Sequence, residues 1–323
     1  MLLEVAELAV DVTTPWGLQR VVDRTSFSLD EGESLGVVGE SGSGKTMTAL
    51  ALMALTPEGA RVSGSIRFEG RELVGRSEDE MMQLRGDRIA MIFQEPMTAL
   101  NPLRRVGAQV AEPLMLHRGL SKREAQARAV ELLEHVRLAE PERAARSYPF
   151  QLSGGERQRA MIAMAIGCSP RLIIADEPTT ALDVTVQARI LALIDGLRPE
   201  SKMAILLVSH DLAVIAGHCD RVIVMYAGVI MESGPVEAVL HQPRNPYTLA
   251  LLEARPRPGA PRGARLKTIP AAAVAHEHHV GCPFAGRCAL TIDRCWTAPP
   301  PEVAFGAGHV SRCHRASEVG FAP

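Results

Sequence analysis

Residues 34–46, SLGVVGESGSGKT, decide the fold class. Ser34 to Val38 is a short apolar run typical of a buried strand, and the helix formers Met47 to Leu55 come after the glycine-rich segment. That segment, residues 39–46, fits the pattern G-x-x-x-x-G-K-[ST], in which glycines let successive backbone N–H groups point into one concavity. A helix that begins there adds the positive end of its dipole. The sequence therefore predicts a phosphate-binding loop made of Gly39, Ser41, Gly42, Ser43, Gly44, Lys45 (toward the β- and γ-phosphates) and Thr46 (toward Mg²⁺).

A second apolar run ends in two carboxylates. Leu172 to Ala175 predicts a buried strand, and Asp176 and Glu177 follow it directly. Open α/β sheets bind their ligands at the edge formed by the carboxyl ends of the strands. We therefore expect Asp176 to hold Mg²⁺, directly or through water, and Glu177 to orient or deprotonate an attacking water.

Strand-like and helix-like segments alternate along most of the chain. Apolar strands that alternate with helices predict a mostly parallel sheet covered on both faces. Residues 78–170 are richer in helix formers, and after residue 254 a linker-like run begins, ARPRPGAPRGAR. The other predicted elements are strands at Leu3–Val12, Val21–Leu29, Met203–Val208 and, as the final strand, Val222–Tyr226, and helices at Lys122–Arg137, Val184–Leu197 and Leu212–Ala216.

Composition excludes several classes of protein. Lys plus Arg is 35 and Asp plus Glu is 37, so the net charge of −2 gives no support for a nucleic-acid binder held by a basic surface. With 46% apolar and 22% charged residues among 323, the chain can bury a large core. No uncharged run approaches the roughly 18 apolar residues of a membrane span, and the N-terminus lacks the basic region of a signal peptide. We expect a cytosolic protein that reaches a membrane only through a partner.

The stretch Leu152–Arg159, LSGGERQR, points to a family. It resembles the LSGGQ signature of the ATP-binding cassette (ABC) ATPases, with Glu156 where glutamine is commoner. It also stands about 20 residues before the acidic strand, as in that family. Other landmarks of the family follow the same order along the chain. The residues similar to the Q-loop glutamine, the D-loop, the switch histidine and the adenine-stacking aromatic are Gln94, Ala181-Leu182-Asp183, His210 and Trp16.

The resemblance implies a fold and a division of the chain. The fold is an α/β P-loop NTPase: a RecA-like mixed sheet with an antiparallel β subdomain, an inserted α-helical subdomain and a small Cys-rich C-terminal extension. The nucleotide-binding domain would cover residues 1–254, with the helical subdomain at about 97–168, and a regulatory or assembly extension would cover 255–323.

The resemblance also implies roles for the signature residues. Gln94 would sense Mg²⁺ and the water, while His210 would contact the γ-phosphate and hold Glu177 in position. Two cassettes would bind head to tail with two ATP molecules between them, so that ATP closes the dimer and hydrolysis reopens it. The residues expected to meet the ATP of the partner subunit are Ser153, Gly154, Gly155, Glu156 and Asp183.

Several segments narrow the family further. ESGSGKT, FQEPMTALNP, DEPTTALDVTVQA and residues 245–252, NPYTLALL, resemble the dipeptide and oligopeptide importer ATPases, a group that includes nickel and glutathione importer cassettes. The resemblance implies an ATPase subunit that powers peptide import at the cytoplasmic face of the inner membrane. It implies a second ATPase subunit (a paralogue), two transmembrane permease subunits and an extracytoplasmic binding protein, and no nucleic acid. Import of nickel chelates or glutathione, a soluble ABC ATPase and a metal-cluster sensor stay open as alternatives.

Four of the six cysteines lie in the last 42 residues, at Cys282, Cys288, Cys295 and Cys313. In a reducing cytosol, clustered cysteines indicate a metal site before disulfides. The spacing C-x5-C-x6-C-x17-C lacks the C-x2-C knuckle usual in structural zinc sites, and four thiolates suit a [4Fe–4S] cluster equally well. Because members of the peptide-importer group are understood to bind such a cluster, the resemblance favours iron–sulfur over Zn²⁺, disulfides or unligated thiols. A cluster would also supply folding energy that a tail with little apolar sequence lacks.

Overall fold

The computed structural model describes residues 1–95, 99–179, 183–255, 268–270 and 280–320. The strands in this part of the chain are β1 Leu3–Thr14, β2 Gly17–Leu29, β3 Ser34–Val38, β4 Arg61–Phe68, β5 Arg71–Glu72, β6 Ile89–Ile92, β7 Leu172–Asp176, β8 Ala204–Ser209, β9 Arg221–Tyr226, β10 Val229–Pro235, β11 Glu302–Ala304 and β12 Val310–Arg312. The helices are α1 Lys45–Leu52, α2 Glu78–Leu84, α3 Val106–Arg118, α4 Lys122–His135, α5 Pro141–Arg146, α6 Gly154–Ile166, α7 Val184–Ser201, α8 Leu212–His218, α9 Val236–His241, α10 Pro246–Glu253 and α11 Arg294–Thr297.

Two sheets organise these elements. The larger has the order β11-β12-β10-β9-β3-β8-β7-β6, and its strands from β9 to β6 are parallel to one another. The smaller sheet, β2-β1-β4-β5, is antiparallel. The predicted mixed sheet with a separate antiparallel sheet is therefore confirmed.

The central strands are apolar along their whole length because both faces of the large sheet are buried. Within β7, Ile173 packs into one hydrophobic cluster and its neighbour Ile174 into the other. Alternate residues of a strand point to opposite faces, so a strand covered on both sides reads as a continuous apolar run. This is why the runs at β3, β7 and β8 were recognisable in the sequence.

The register of the parallel strands brings the candidate residues to one edge. Ile92 of β6 lies opposite Ala175 of β7, and Asp176 of β7 lies opposite Val208 of β8. Val38, the last residue of β3, lies opposite Ser209. The segments that follow these strands therefore leave the sheet side by side, at the edge where α/β sheets bind ligands.

Helices occupy the chain between β6 and β7. From α3 to α6 they pack on one another through a shared apolar cluster that includes Val110, Ala129, Leu133 and Ile162. The predicted helix Lys122–Arg137 is α4, Lys122–His135, which opens with a capping box between Ser121 and Glu124. None of the helices in the described ranges combines the length and the apolar character that crossing a membrane requires.

The C-terminal region adds strands to the large sheet. The expectation that Val222–Tyr226 is the final strand is wrong, because β10 pairs with β9 and then accepts β12 at its free edge. The strands β11 and β12 pair with each other and extend the sheet by two. They were missed because three-residue strands are too short to show an alternating pattern.

Candidate nucleotide site

The glycine-rich loop wraps around the ammonium of Lys45. Lys45 Nζ donates to the carbonyl oxygens of Gly39 at 2.8 Å and Glu40 at 2.9 Å. Burial lowers the pKa of Lys45, and the carboxylates of Glu177 and Asp176 oppose that shift. Gly44 has a φ of 100° just before α1, and a Cβ there would lie 2.7 Å from a backbone oxygen of β2, so this position requires glycine.

Asp176, at the end of β7, contacts the last residue of the phosphate loop. Thr46, in the first turn of α1, donates its hydroxyl to Asp176 Oδ1 at 3.2 Å. Burial raises the pKa of Asp176, and the nearby carboxylate of Glu177 raises it further. The oxygens of a hydroxyl, a carboxylate and a side-chain amide are the kinds of donor that Mg²⁺ prefers. The residues predicted to hold Mg²⁺, namely Thr46, Asp176 and Gln94, therefore suit that ion by the chemistry of their donors.

Glu177 is held from two sides by the other predicted catalytic residues. Gln94 Nε2 donates to Glu177 Oε2 at 3.1 Å, and His210 Nδ1 lies 3.2 Å from the same oxygen. The backbone of Glu177 has a φ of 44°, and its N–H donates to the carbonyl of Val208 at the end of β8. A non-glycine residue in the left-handed region is uncommon and often marks a functional site. The fold thus brings together three residues from three different strand ends.

The signature sequence forms the N-terminus of α6. Ser153 is the N-cap, and its Oγ accepts from the N–H of Glu156 at 3.3 Å while Glu156 Oε2 accepts from the Ser153 N–H at 2.8 Å. The hydrogen bonds that the N–H and the hydroxyl of Ser153 donate to the carboxylate lower the pKa of Glu156. A glutamine would make the same capping box, which explains why Glu156 can replace it. Gly154 and Gly155 are the first helical residues, so their N–H groups lack acceptors within the helix and form part of its positive end.

The remaining predicted site residues are Trp16 and the D-loop residue Asp183. Trp16 lies at the turn between β1 and β2 with 94% of its surface exposed, so it does not pack locally against the sheet. Asp183 is the N-cap of α7 and accepts from the N–H of Val186 at 3.0 Å. The other two residues of the predicted D-loop, Ala181 and Leu182, lie outside the described residues.

The loop has contacts that the sequence did not predict. The hydroxyl of Tyr247, in α10, accepts from the N–H of Glu40 at 2.9 Å. The guanidinium of Arg287, in the C-terminal region, binds the carboxylate of the same residue. Arg287 stands between two cysteines in GCPFAGRC, and nothing in that spacing indicates a partner 247 positions away.

The four C-terminal cysteines approach one another. Cys282, Cys288, Cys295 and Cys313 line one small cavity of about 20 Å³. Burial, and then the neighbouring thiols, raise the pKa of Cys282 to about 12. The four cysteines are not joined to one another by disulfide bonds. Across the described ranges, however, no group of three or more His, Cys, Asp or Glu side chains is placed to hold a metal ion, so the iron–sulfur and zinc sites stay predictions.

The chain matches two protein-family models and is similar to known transport ATPases over nearly its whole length. Residues 22–180 match the model of the ABC transporter family, and residues 231–295 match that of the oligopeptide/dipeptide transporter C-terminal region. The oligopeptide transport ATP-binding protein OppD of Salmonella typhimurium is 49% identical over 98% of this chain and 95% of its own length. The Escherichia coli OppD is 48% identical over 98% of this chain and 94% of its own length.

The chain is a member of the ABC transporter ATPases, in the oligopeptide/dipeptide group. The solved structures agree at the level of the cassette. A dimeric ATP-binding cassette in a post-hydrolysis state with ADP and Pi matches with a TM-score of 0.66 and 28% identity, over 72% of this chain and 98% of that one. A bacterial ABC transporter cassette, also dimeric, matches with a TM-score of 0.65 and 29% identity. This chain is therefore an ABC ATPase, and ATP and Mg²⁺ are the ligands typical of the family.

Proposed function

We propose that this chain hydrolyses ATP to power the import of oligopeptides through an ABC transporter. The observation that supports this most is the convergence of Gln94 and His210 on Glu177, beside a phosphate loop, in a chain similar to OppD along almost its whole length. Hydrolysis needs little covalent chemistry from a protein, because positioning and charge stabilisation supply most of the catalysis.

The residues of the site divide the reaction among them. Glu177 accepts a proton from the water that attacks the γ-phosphorus, the bond to the bridging oxygen breaks, and ADP and phosphate are released. Gln94 and His210 fix the carboxylate of Glu177, so that its oxygen faces the water in one orientation. The loop amides and Lys45 bind the β- and γ-phosphates. Mg²⁺, held by Thr46, Asp176 and Gln94, would neutralise charge on the phosphates.

In this proposal, the anion site at the start of α6 binds the ATP that a neighbouring subunit holds. Ser153, Gly154 and Gly155 open α6 with N–H groups suited to phosphate oxygens. A head-to-tail dimer lets these groups, with Glu156 and Asp183, close over ATP held by a second cassette, which we take to be a paralogue. Trp16, which is exposed at its turn, would stack on adenine in this proposal. ATP would then close the dimer and hydrolysis would reopen it.

The remaining partners follow from the transporter. Two membrane-spanning permease subunits and an extracytoplasmic binding protein complete it, and this chain lies at the cytoplasmic face of the inner membrane. We assign residues 1–254 to the nucleotide-binding domain, with the helical subdomain at about 97–168, and residues 255–323 to the Cys-rich extension.

We also propose that the four tail cysteines hold a [4Fe–4S] cluster. Three of the sulfur atoms accept hydrogen bonds from the backbone N–H two positions later: Cys282 from Phe284, Cys288 from Leu290 at 3.3 Å and Cys313 from Arg315 at 3.3 Å. Such N–H···S bonds stabilise thiolates and tune iron–sulfur clusters. Each thiolate of a cluster binds its own iron atom, so the four need not converge on one point. Zn²⁺ requires that convergence, and the described residues do not provide it.

The importer role is tested in the assembled transporter. The full chain is purified from native membranes with its partners, reconstituted in nanodiscs, and assayed for ATP hydrolysis with the binding protein alone or loaded with peptide, nickel chelate or glutathione. We expect copurified permease subunits and stimulation by peptide. Stimulation by nickel chelate or glutathione, without stimulation by peptide, would refute peptide as the cargo. Purification of the chain without any permease subunit would refute the importer role.

The cluster is tested by its iron and colour. The full chain is purified without oxygen, and iron is counted against Cys288→Ser, with Cys168→Ser as the matched control because Cys168 is a buried core cysteine outside the tail. We expect about four iron atoms and a brown colour that only Cys288→Ser loses. Equal iron in both variants, or zinc in place of iron, would refute the cluster.

A further inference from the structure

The C-terminal region binds the phosphate loop through one arginine. Arg287 ends a short 3-10 turn, Ala285–Arg287, immediately before Cys288. Its guanidinium donates to both carboxylate oxygens of Glu40, from Nη1 at 2.5 Å and from Nη2 at 2.9 Å. Glu40 is the second residue of the loop, directly after Gly39. A bidentate pair of this kind fixes direction as well as distance.

Groups other than Glu40 also fix the position of the guanidinium. The Arg287 side chain is only 11% exposed, and its charged carbon lies 5.6 Å from the ring centre of Tyr226 and 5.8 Å from that of Phe284. Its Nε donates to the carbonyl of Pro270 at 2.5 Å. Arginine held by aromatic rings and a backbone acceptor loses little further freedom in forming an ion pair, unlike an exposed surface pair.

Glu40 passes this restraint to the residue expected to bind phosphate. Its backbone N–H donates to the hydroxyl of Tyr247, and its carbonyl accepts from Lys45 Nζ at 2.9 Å. A shift of Glu40 therefore moves an acceptor of the Lys45 ammonium. The same ion pair neutralises a carboxylate that would otherwise repel the phosphates of ATP.

We propose that Arg287 is a positioning residue for ATP, which holds Glu40 and through it the phosphate loop and Lys45 in the conformation that binds nucleotide. The tail is then part of the nucleotide site of its own subunit and acts on it through the phosphate loop. The inference deepens the proposed function, and it rests on that function for the identity of the ligand.

The test measures equilibrium ATP affinity of the full chain by displacement of a fluorescent ATP analogue. Arg287→Ala should weaken ATP about tenfold, or about 1.4 kcal/mol. Arg294→Ala is the matched control, because Arg294 is an exposed arginine of the same tail and also neighbours a cysteine, Cys295. The variant Arg287→Lys keeps the positive charge but cannot donate to both carboxylate oxygens as the planar guanidinium does. Its affinity for ATP should therefore fall about threefold.

A double-mutant cycle separates positioning from general damage to the fold. If Arg287 acts through Glu40, Arg287→Ala combined with Glu40→Ala should bind ATP as Glu40→Ala does alone. In the assembled transporter, Arg287→Ala should raise KM for ATP and leave kcat within about twofold.

Two results would overturn the proposal: unchanged ATP affinity in Arg287→Ala, or losses that add in the double variant. Should Arg287→Ala fail to fold, unchanged affinity in Arg287→Lys is decisive in its place. A transporter that peptide does not stimulate would refute the proposed function and leave these affinities as they are.

Discussion

The buried amide of Asn245 is one of the contacts that attach the C-terminal strands to the sheet, beside the pairing of β12 with β10 and the buried contact of His309 with Glu232. The side chain of Asn245 is 1% exposed and is the N-cap of α10, where its Oδ1 accepts from the N–H of Tyr247 at 3.0 Å. Its Nδ2 donates to the carbonyl of Met231 in β10 and to that of Arg312 in β12, each at 3.0 Å. The substitution Asn245→Asp keeps the shape and the capping oxygen but removes both donors.

The expected cost of Asn245→Asp follows from these contacts. The cap survives, because aspartate and asparagine cap helices equally well. Two lost hydrogen bonds cost about 1 kcal/mol each, and a buried carboxylate that faces two carbonyl oxygens adds a further penalty. We expect a loss of about 3–5 kcal/mol in the free energy of unfolding at neutral pH, a large part of the roughly 5–15 kcal/mol of a typical domain.

The loss should depend on pH in one direction. Burial of the new carboxyl, with its second oxygen against the carbonyl oxygens of Met231 and Arg312, raises its pKa above the unfolded value of about 3.9. A group whose folded pKa is raised favours folding below its unfolded pKa and disfavours it as pH rises. The difference in free energy of unfolding between Asn245→Asp and the unchanged chain should therefore be smaller below about pH 4 and grow toward neutral pH.

Urea unfolding and hydrogen exchange measure these effects. Trp296 lies in the tail, so its fluorescence reports the release of that region. Amide protection in β11 and β12 should fall before that of the central strands. The control is Asn101→Asp, because Asn101 is exposed and its Oδ1 accepts from the N–H of Leu103 in the same way. An Asn245→Asp protein as stable as that control, with β12 still protected, would refute the account of this amide.

Four further predictions concern the nucleotide site. Glu177→Gln should lower kcat by about 10²–10⁴-fold while ATP affinity stays within about twofold, and full turnover would exclude Glu177 as the base. Tyr247→Phe leaves the N–H of Glu40 without its acceptor, so it should cost about 1 kcal/mol in urea unfolding, and an unchanged midpoint would contradict the hydrogen bond. Ser153→Ala removes the cap of α6 and should cost about 1 kcal/mol and weaken the ATP-dependent dimer, as measured by size-exclusion chromatography; a dimer that forms equally well would exclude Ser153 from it. The backbone N–H of Ser153, and then its hydroxyl, lower the pKa of Glu156, so the stability that this carboxylate adds should be present above its unfolded pKa and disappear as pH falls. Ser153→Ala keeps the N–H and removes only the hydroxyl, so acid titration against the unchanged chain should detect a partial loss of this pH dependence.

Local patterns in the sequence determined the parts of the molecule that depend on neighbours along the chain. The strand, loop and helix around Lys45 need only a few glycines and an apolar run, and the acidic end of β7 needs only the residues beside it. The resemblance to the ABC ATPases implied that His210 holds Glu177, and the contact of Gln94 with Glu177 was seen only in the structure. Both contacts are possible because parallel strands end at a common edge of the sheet. The ordering of the landmarks then predicted an ABC ATPase, which near-full-length relatives show.

Only the tertiary structure decided how the tail joins the cassette. The strands β11 and β12 are three residues each, so their pairing with β10 depends on a partner strand and on the amide of Asn245 rather than on any local pattern. The ion pair between Arg287 and Glu40 joins residues 247 positions apart, and neither residue type at its position indicates the other. A short motif can specify the conformation of its own backbone, but the groups that pack against it from afar are fixed only when the whole chain buries its core.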